Sequence, residues 1–231
     1  MMARRSVGAL CVVALLASCG TGRPDAETSP LGAGIKQIRQ LLQIRKAGGR
    51  EAAAATANSK LQEFVRDADG AVIIGIVEDL KIPVVLQPEA QNGPHVTWRT
   101  PDDRTMTLVG GVVSATRGFG GDILAYDAVA AGPAIAARSA SEYKRSMRFL
   151  GPQYELKAAT LTCKTENKGT EDVKIVDSER PLVHVSEACT DQGGGTVTSD
   201  YWVDGSGRVW QSRQWLGPQL GYVFFQLVKA P

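Results

Sequence analysis

The sequence has few of the residues on which most enzyme chemistry rests. Only two histidines, four cysteines and 6% aromatic residues occur in 231 positions. His95 and His184 lie in unrelated segments, with no H-E-x-x-H and no C-x-x-C beside them, so no metal site is expected. There is no G-x-S-x-G elbow to hold a nucleophilic serine and no G-K-[S/T] to grip a nucleotide. A surplus of one charge is also missing. Arg4 and Arg5 are the only charges in residues 1–18, so 26 basic and 24 acidic side chains become 24 of each once that segment is removed. A nucleic-acid partner is therefore not expected, because it would require an excess of phosphate-neutralising charge. Beyond the N-terminus no apolar run approaches the roughly 20 residues needed to span a bilayer as a helix, and no internal repeat is visible. What remains, 43% hydrophobic and 22% charged, suits a globular chain with a sizeable core.

The N-terminus is an address. Arg4 and Arg5 form a positive region, and Val7 to Leu16 an apolar core of secretory-signal length. Leu16-Ala17-Ser18-Cys19 follows, resembling the bacterial lipobox, in which the cysteine thiol accepts a diacylglycerol and becomes the mature N-terminus. Two or more acyl chains hold a protein stably on a membrane where one does not. The expected boundaries are a lipoprotein signal peptide over 1–18, a lipidated Cys19 with a flexible tether over 19–34, and a single β-rich periplasmic domain over 35–231. Gly20 rather than Asp after the cysteine resembles enteric lipoproteins sorted to the outer membrane. With Cys11 removed and Cys19 lipidated, Cys163 and Cys189 remain, 26 positions apart. In an oxidising periplasm they read as a disulfide, with two separate buried thiols as the alternative.

Ile35, Ile38, Leu41 and Leu42 recur at helical spacing until Gly48-Gly49, and 51–64 reads as a second short helix. From Ala71 the period changes. Residues 71–77, 84–86, 96–99 and 105–116 read as strands, the last broken at Gly110-Gly111. Strand patterns resume at 142–150, 153–165, 172–177, 181–189, 196–203, 208–215 and 221–228, with a hairpin turn at Asp204-Gly205-Ser206-Gly207. The Gly- and Ala-rich stretch 118–137 reads as irregular. The predicted fold is mainly β, an antiparallel sandwich or partly opened barrel with short N-terminal helices.

Candidate sites are few. Thr116-Arg117-Gly118-Phe119-Gly120-Gly121-Asp122 has the look of a phosphate cradle, although tight turning with Arg117 near Asp122 is the better account. Asp102, Asp122, Asp127 and Glu187 are the acids from which a glycosidase pair would be drawn. In the last hairpin Trp210, Arg213, Gln214 and Trp215 combine flat rings with hydrogen-bonding groups, a pattern suited to a glycan or partner contact. Strand alternation places Trp210 with Gln214 on one face and Arg213 with Trp215 on the other. One tryptophan is therefore expected in the core.

Trp98-Arg99-Thr100, the run Gly110 to Leu124, and Ser212-Arg213-Gln214-Trp215-Leu216-Gly217-Pro218 together resemble the YjbF/GfcB (YmcC-like) lipoproteins. The resemblance implies an all-β domain like a partly opened barrel, anchored in the outer membrane and facing the periplasm. It also implies a non-catalytic role in group 4 capsule or exopolysaccharide secretion, with no cofactor. The implied partners are the polysaccharide, a periplasmic secretion protein and an outer-membrane β-barrel protein. Rival readings are a periplasmic glycan-acting enzyme and a structural envelope lipoprotein.

Overall fold

A computed structural model describes residues 65–176 and 178–230. The signal peptide, Cys19, the tether and the two predicted helices of 35–64 lie outside the described residues.

Twelve strands follow one another: β1 (Val72–Val77), β2 (Ile82–Asn92), β3 (His95–Arg99), β4 (Thr105–Val109), β5 (Val112–Arg117), β6 (Ile123–Tyr126), β7 (Ser141–Leu150), β8 (Leu156–Ile175), β9 (Ser178–Thr190), β10 (Thr196–Val203), β11 (Val209–Trp215) and β12 (Tyr222–Lys229). They form a single antiparallel sheet in the order β5-β4-β3-β2-β1-β12-β11-β10-β9-β8-β7-β6. Every neighbour is a hairpin partner except β1 and β12, whose pairing joins the two meanders. The sheet curls into a nearly closed barrel whose open seam lies between β5 and β6.

An open seam exposes two rows of unpaired backbone groups, which invite pairing with another chain. Side chains cover this one. The Arg117 guanidinium donates to the carbonyls of Thr116, Ile123 and Leu124 at 2.6, 2.9 and 3.2 Å. The Ile123 N–H donates to Thr116 Oγ1 at 3.0 Å. Arg117 does not form the expected pair with Asp122: its guanidinium is taken up by the seam carbonyls, and the Asp122 carboxylate accepts from Thr116 Oγ1 and the Gly118 and Phe119 N–H groups.

Alternation fills the interior. Val77, Val84, Leu86, Met106, Val113, Ile123, Met147, Leu161, Val223 and Phe225 belong to one buried cluster. Gly75 leaves room for the Phe225 ring, since a Cβ there would lie 2.6 Å from Phe225 Cδ1. A smaller cluster of Val109, Val112, Val185, Tyr201 and Val203 packs against helix α1 (Ala131–Ala136) through Ala131 and Ile135. The β4–β5 turn that meets α1 has positive φ at both Gly110 and Gly111, as a two-residue hairpin requires.

The structure differs from the sequence expectation in three places. Residues 118–137 are not wholly irregular, for they contain β6 and α1. β8 runs unbroken through Glu166–Glu171, with a bulge at Asn167/Gly169. β2 continues to Asn92, past Pro88, where another bulge takes up the register. A bulge lets a strand bend without ending.

Candidate functional site

β11 carries the four residues singled out in the sequence, and the structure does not bring them together. Gln214 points inward and is buried. Its Oε1 accepts the Val113 N–H at 2.9 Å, and its Nε2 donates to Gly111 O at 2.8 Å and to Ser212 Oγ at 2.9 Å. It thus ties β11 to the backbone at the start of β5, satisfying groups near the β4–β5 bulge. That role is structural and leaves it no capacity for a ligand.

Trp210 is also buried, in other surroundings. The β10–β11 register steps from Trp202↔Gln211 to Val203↔Val209, leaving Trp210 as the extra residue of a bulge. Val209, opposite Val203, packs with the cluster around α1. Strict alternation, assumed for the whole strand, therefore fails beyond Gln211. The Trp210 indole lies under the Arg180 guanidinium, 3.9 Å from it, and donates to Asp204 Oδ2 at 2.7 Å. Asp204 also accepts from the Ser206 hydroxyl and from the Ser206 and Arg208 N–H groups. Burial acts to raise its pKa, but these hydrogen bonds outweigh it and hold the carboxyl down at about 2.

Arg213 and Trp215 face outward, each partly exposed. Arg213 grips Glu78 with Nε–Oε1 at 3.0 Å and Nη2–Oε2 at 2.8 Å, and its guanidinium lies 3.7 Å over the Tyr222 ring. The Glu78 contact, more than burial opposes it, keeps the guanidinium pKa above its ordinary value. Trp215 stands directly across from Tyr222.

Next to these, on the same outer face, lies a cluster that the sequence did not disclose. His184 Nδ1 is 3.0 Å from Glu171 Oε1, and Nε2 is 2.9 Å from Asp200 Oδ1. The imidazole stacks on Trp202 with centroids 4.7 Å apart, and Trp202 Nε1 donates to Glu171 Oε2 at 2.9 Å. That indole donor, opposed by burial and aided by His184, lowers the Glu171 pKa. Asp200 is the register partner of Arg213. The outer face of β9 to β12 therefore presents rings interleaved with ion pairs and amides, the composition of a surface that stacks on and hydrogen-bonds to flat polar ligands. The one legible sign was Trp202, beside the predicted turn.

Inside the barrel is a buried ion pair. Arg145 Nη1 donates to both oxygens of Glu187 at 3.0 Å, and the Tyr143 and Tyr201 hydroxyls donate to the same carboxylate at 2.7 and 3.1 Å. Arg145 Nε donates to Asp127 O at 2.8 Å, and its guanidinium lies 3.5 Å over the Tyr126 ring. Burial, and then the charge of Glu187, push Tyr143 and Tyr201 above their ordinary range, while burial raises Tyr126 to about 12. The Sγ atoms of Cys163 and Cys189, register partners on β8 and β9, are bonded to each other. With Glu187 they place ligand-type atoms within 4.8 Å of one another. The sulfurs are bonded together and the carboxylate is occupied by Arg145, so the group offers a metal no free donor.

The remaining candidates are used locally. The glycine loop holds its own anion: Asp122 accepts the Gly118 and Phe119 N–H groups at 2.8 and 3.1 Å, which fills the place a phosphate would take. Asp102 pairs with Arg104 and Thr100, and Asp127 accepts the Val129 N–H. His95 stands on β3, 3.5 Å from Ser114 Oγ and on a different strand from His184.

A family model described as group 4 capsule polysaccharide lipoprotein gfcB, YjbF matches residues 50–228. The chain belongs to the YjbF family. No curated protein matches it. Among solved structures, the hypothetical lipoprotein YmcC of Escherichia coli K12 superposes with a TM-score of 0.66 at 16% identity, covering 80% of this chain and 99% of that one. At such low identity the likeness speaks for the fold alone. Membership makes this chain a capsule-related envelope lipoprotein.

Proposed function

We propose that the protein is anchored to the periplasmic face of the outer membrane through lipid on Cys19. There it assists capsule or exopolysaccharide secretion by binding glycan or partner proteins, without catalysis. The family match over residues 50–228 carries this reading. The lipobox Leu16-Ala17-Ser18-Cys19 supports the anchor. The outer face of Arg213, Trp215, Trp202, Asp200 and His184 supplies the contact surface. Trp210 and Gln214, both taken up by internal bonds, are no longer part of it. The acids named as catalytic candidates are each held by local partners, which supports a binding role.

The test is complementation of a deletion strain, with polysaccharide output as the readout. Cys19→Ser should abolish acyl labelling, leave uncleaved precursor and lower output. Arg213→Ala should lower output while changing stability by about 1 kcal/mol or less, as expected for a half-exposed ion pair. Normal output from the deletion strain would overturn the secretion role. Turnover of the polysaccharide by the purified protein would overturn the non-catalytic reading.

A further inference from the structure

A groove of about 610 Å³ lies on the outside of the barrel between the β7–β8 hairpin and the β9–β10 turn. Its volume is within the roughly 300–1,000 Å³ of small-ligand sites. The functional lining is Ser146, Arg148, Ala158, Thr160, Asp191 and Gln192. Ser146 and Arg148 alternate with inward-facing Arg145 and Met147, and Thr160 stands across from Ser146.

Arg148 is unlike the other arginines. Arg66, Arg99, Arg104, Arg117, Arg138, Arg145 and Arg213 each donate to a carboxylate or carbonyl, and Arg180 and Arg208 lie over Trp210. Among the described residues Arg148 has no such partner, although Asp191 lines the same groove. Asp191 turns Oδ1 to the N–H groups of Gly193 and Gly195 at 2.8 and 2.9 Å, holding the turn that forms one wall. The Ser146 and Thr160 hydroxyls and the Gln192 amide likewise have no partner among the described residues. A free guanidinium fork beside hydroxyls, an amide and a small alanine floor matches a sugar acid: the fork takes a carboxylate in two parallel bonds, and the other groups take ring hydroxyls.

We propose that this groove binds an acidic polysaccharide segment, with Arg148 holding the carboxylate of a uronic-acid unit. The proposal rests on the glycan-binding reading above and names both a site and a ligand class for it. The test uses the mature lipoprotein in detergent micelles, with trigalacturonate and its carboxyl-reduced trisaccharide as calorimetric probes. Trigalacturonate should bind wild type at least tenfold more tightly than the reduced sugar. Arg148→Gln should remove that preference, and Arg148→Lys should keep only part of it. The exposed position of Arg148 makes loss of folding a minor concern, and Thr160→Val gives a second, milder weakening. Absent binding of trigalacturonate, equal binding of the two probes, or unchanged affinity in Arg148→Gln would each overturn the proposal. The broader reading fails separately, on normal polysaccharide output from the deletion strain.

Discussion

Replacing Arg145 by Met tests whether the barrel interior is held by its ion pair. Arg145 and Glu187 are each 1% exposed, so neither charge is screened by water. Met keeps most of the stem volume, and the main effect is to leave the Glu187 carboxylate with only the Tyr143 and Tyr201 hydroxyls. Removing one partner of a buried pair costs about 3–5 kcal/mol, because the remaining charge stays desolvated. At roughly 2–4 °C per kcal/mol for a domain of this size, Tm should fall by about 6–20 °C. The double variant Arg145→Met/Glu187→Leu removes both charges and should recover about 2 kcal/mol or more of that loss, a positive coupling in a double-mutant cycle. Urea unfolding of the three variants and wild type, with slopes compared, gives the cycle. A cost below about 1 kcal/mol for Arg145→Met, or no recovery in the double variant, would refute the reasoning.

The Cys163–Cys189 bridge closes a loop of 26 positions, so Cys163→Ser/Cys189→Ser should lower stability by about 3 kcal/mol. Two alkylatable thiols in unreduced periplasmic protein would contradict the bridge. Gln214→Leu strands the Val113 N–H and the Gly111 carbonyl, and should cost about 2–6 kcal/mol by denaturant unfolding. A loss under about 1 kcal/mol would show that water replaces the amide. Tyr126 is raised from 10.0 to about 12 in the fold, so its un-ionised state favours folding fully below pH 10, and that contribution is lost as pH rises from 10 towards 12. Tyrosinate absorbance should show Tyr126, Tyr143 and Tyr201 ionising together with unfolding; reversible titration near 10 in the folded protein would count against this.

Much of the barrel can be read from local pattern. The β-branched run before Glu78 is β1, and the alternation after residue 196 gives β10, β11 and β12 almost to the residue. The β class likewise needs no tertiary information. The buried ion pair was legible in principle. Arg145 falls in phase with Tyr143 and Met147, and Glu187 in phase with Val185 and Cys189, so opposite charges occupy inward positions on two strands.

Other features depend on contacts between distant segments. β8 looks interrupted because Glu166–Glu171 is polar, yet backbone pairing to β9 continues through it, and cross-strand hydrogen bonds do not require apolar side chains. The backbone partners of Gln214 lie 101 and 103 positions away, so its tie to the β4–β5 turn is invisible along β11. A single bulge at Trp210 is enough to break the two-residue period that sorts side chains by face. Periodicity records which residues avoid water, and that much the chain determined by itself: an antiparallel β protein, with a lipobox-like run at its N-terminus. Tertiary structure decided which polar groups satisfy one another and which stay free, because a hydrogen bond or ion pair depends on positions that only the closed sheet brings together. By that criterion Gln214 and Arg117 serve the scaffold, and Arg213, Trp215 and Arg148 remain at the surface.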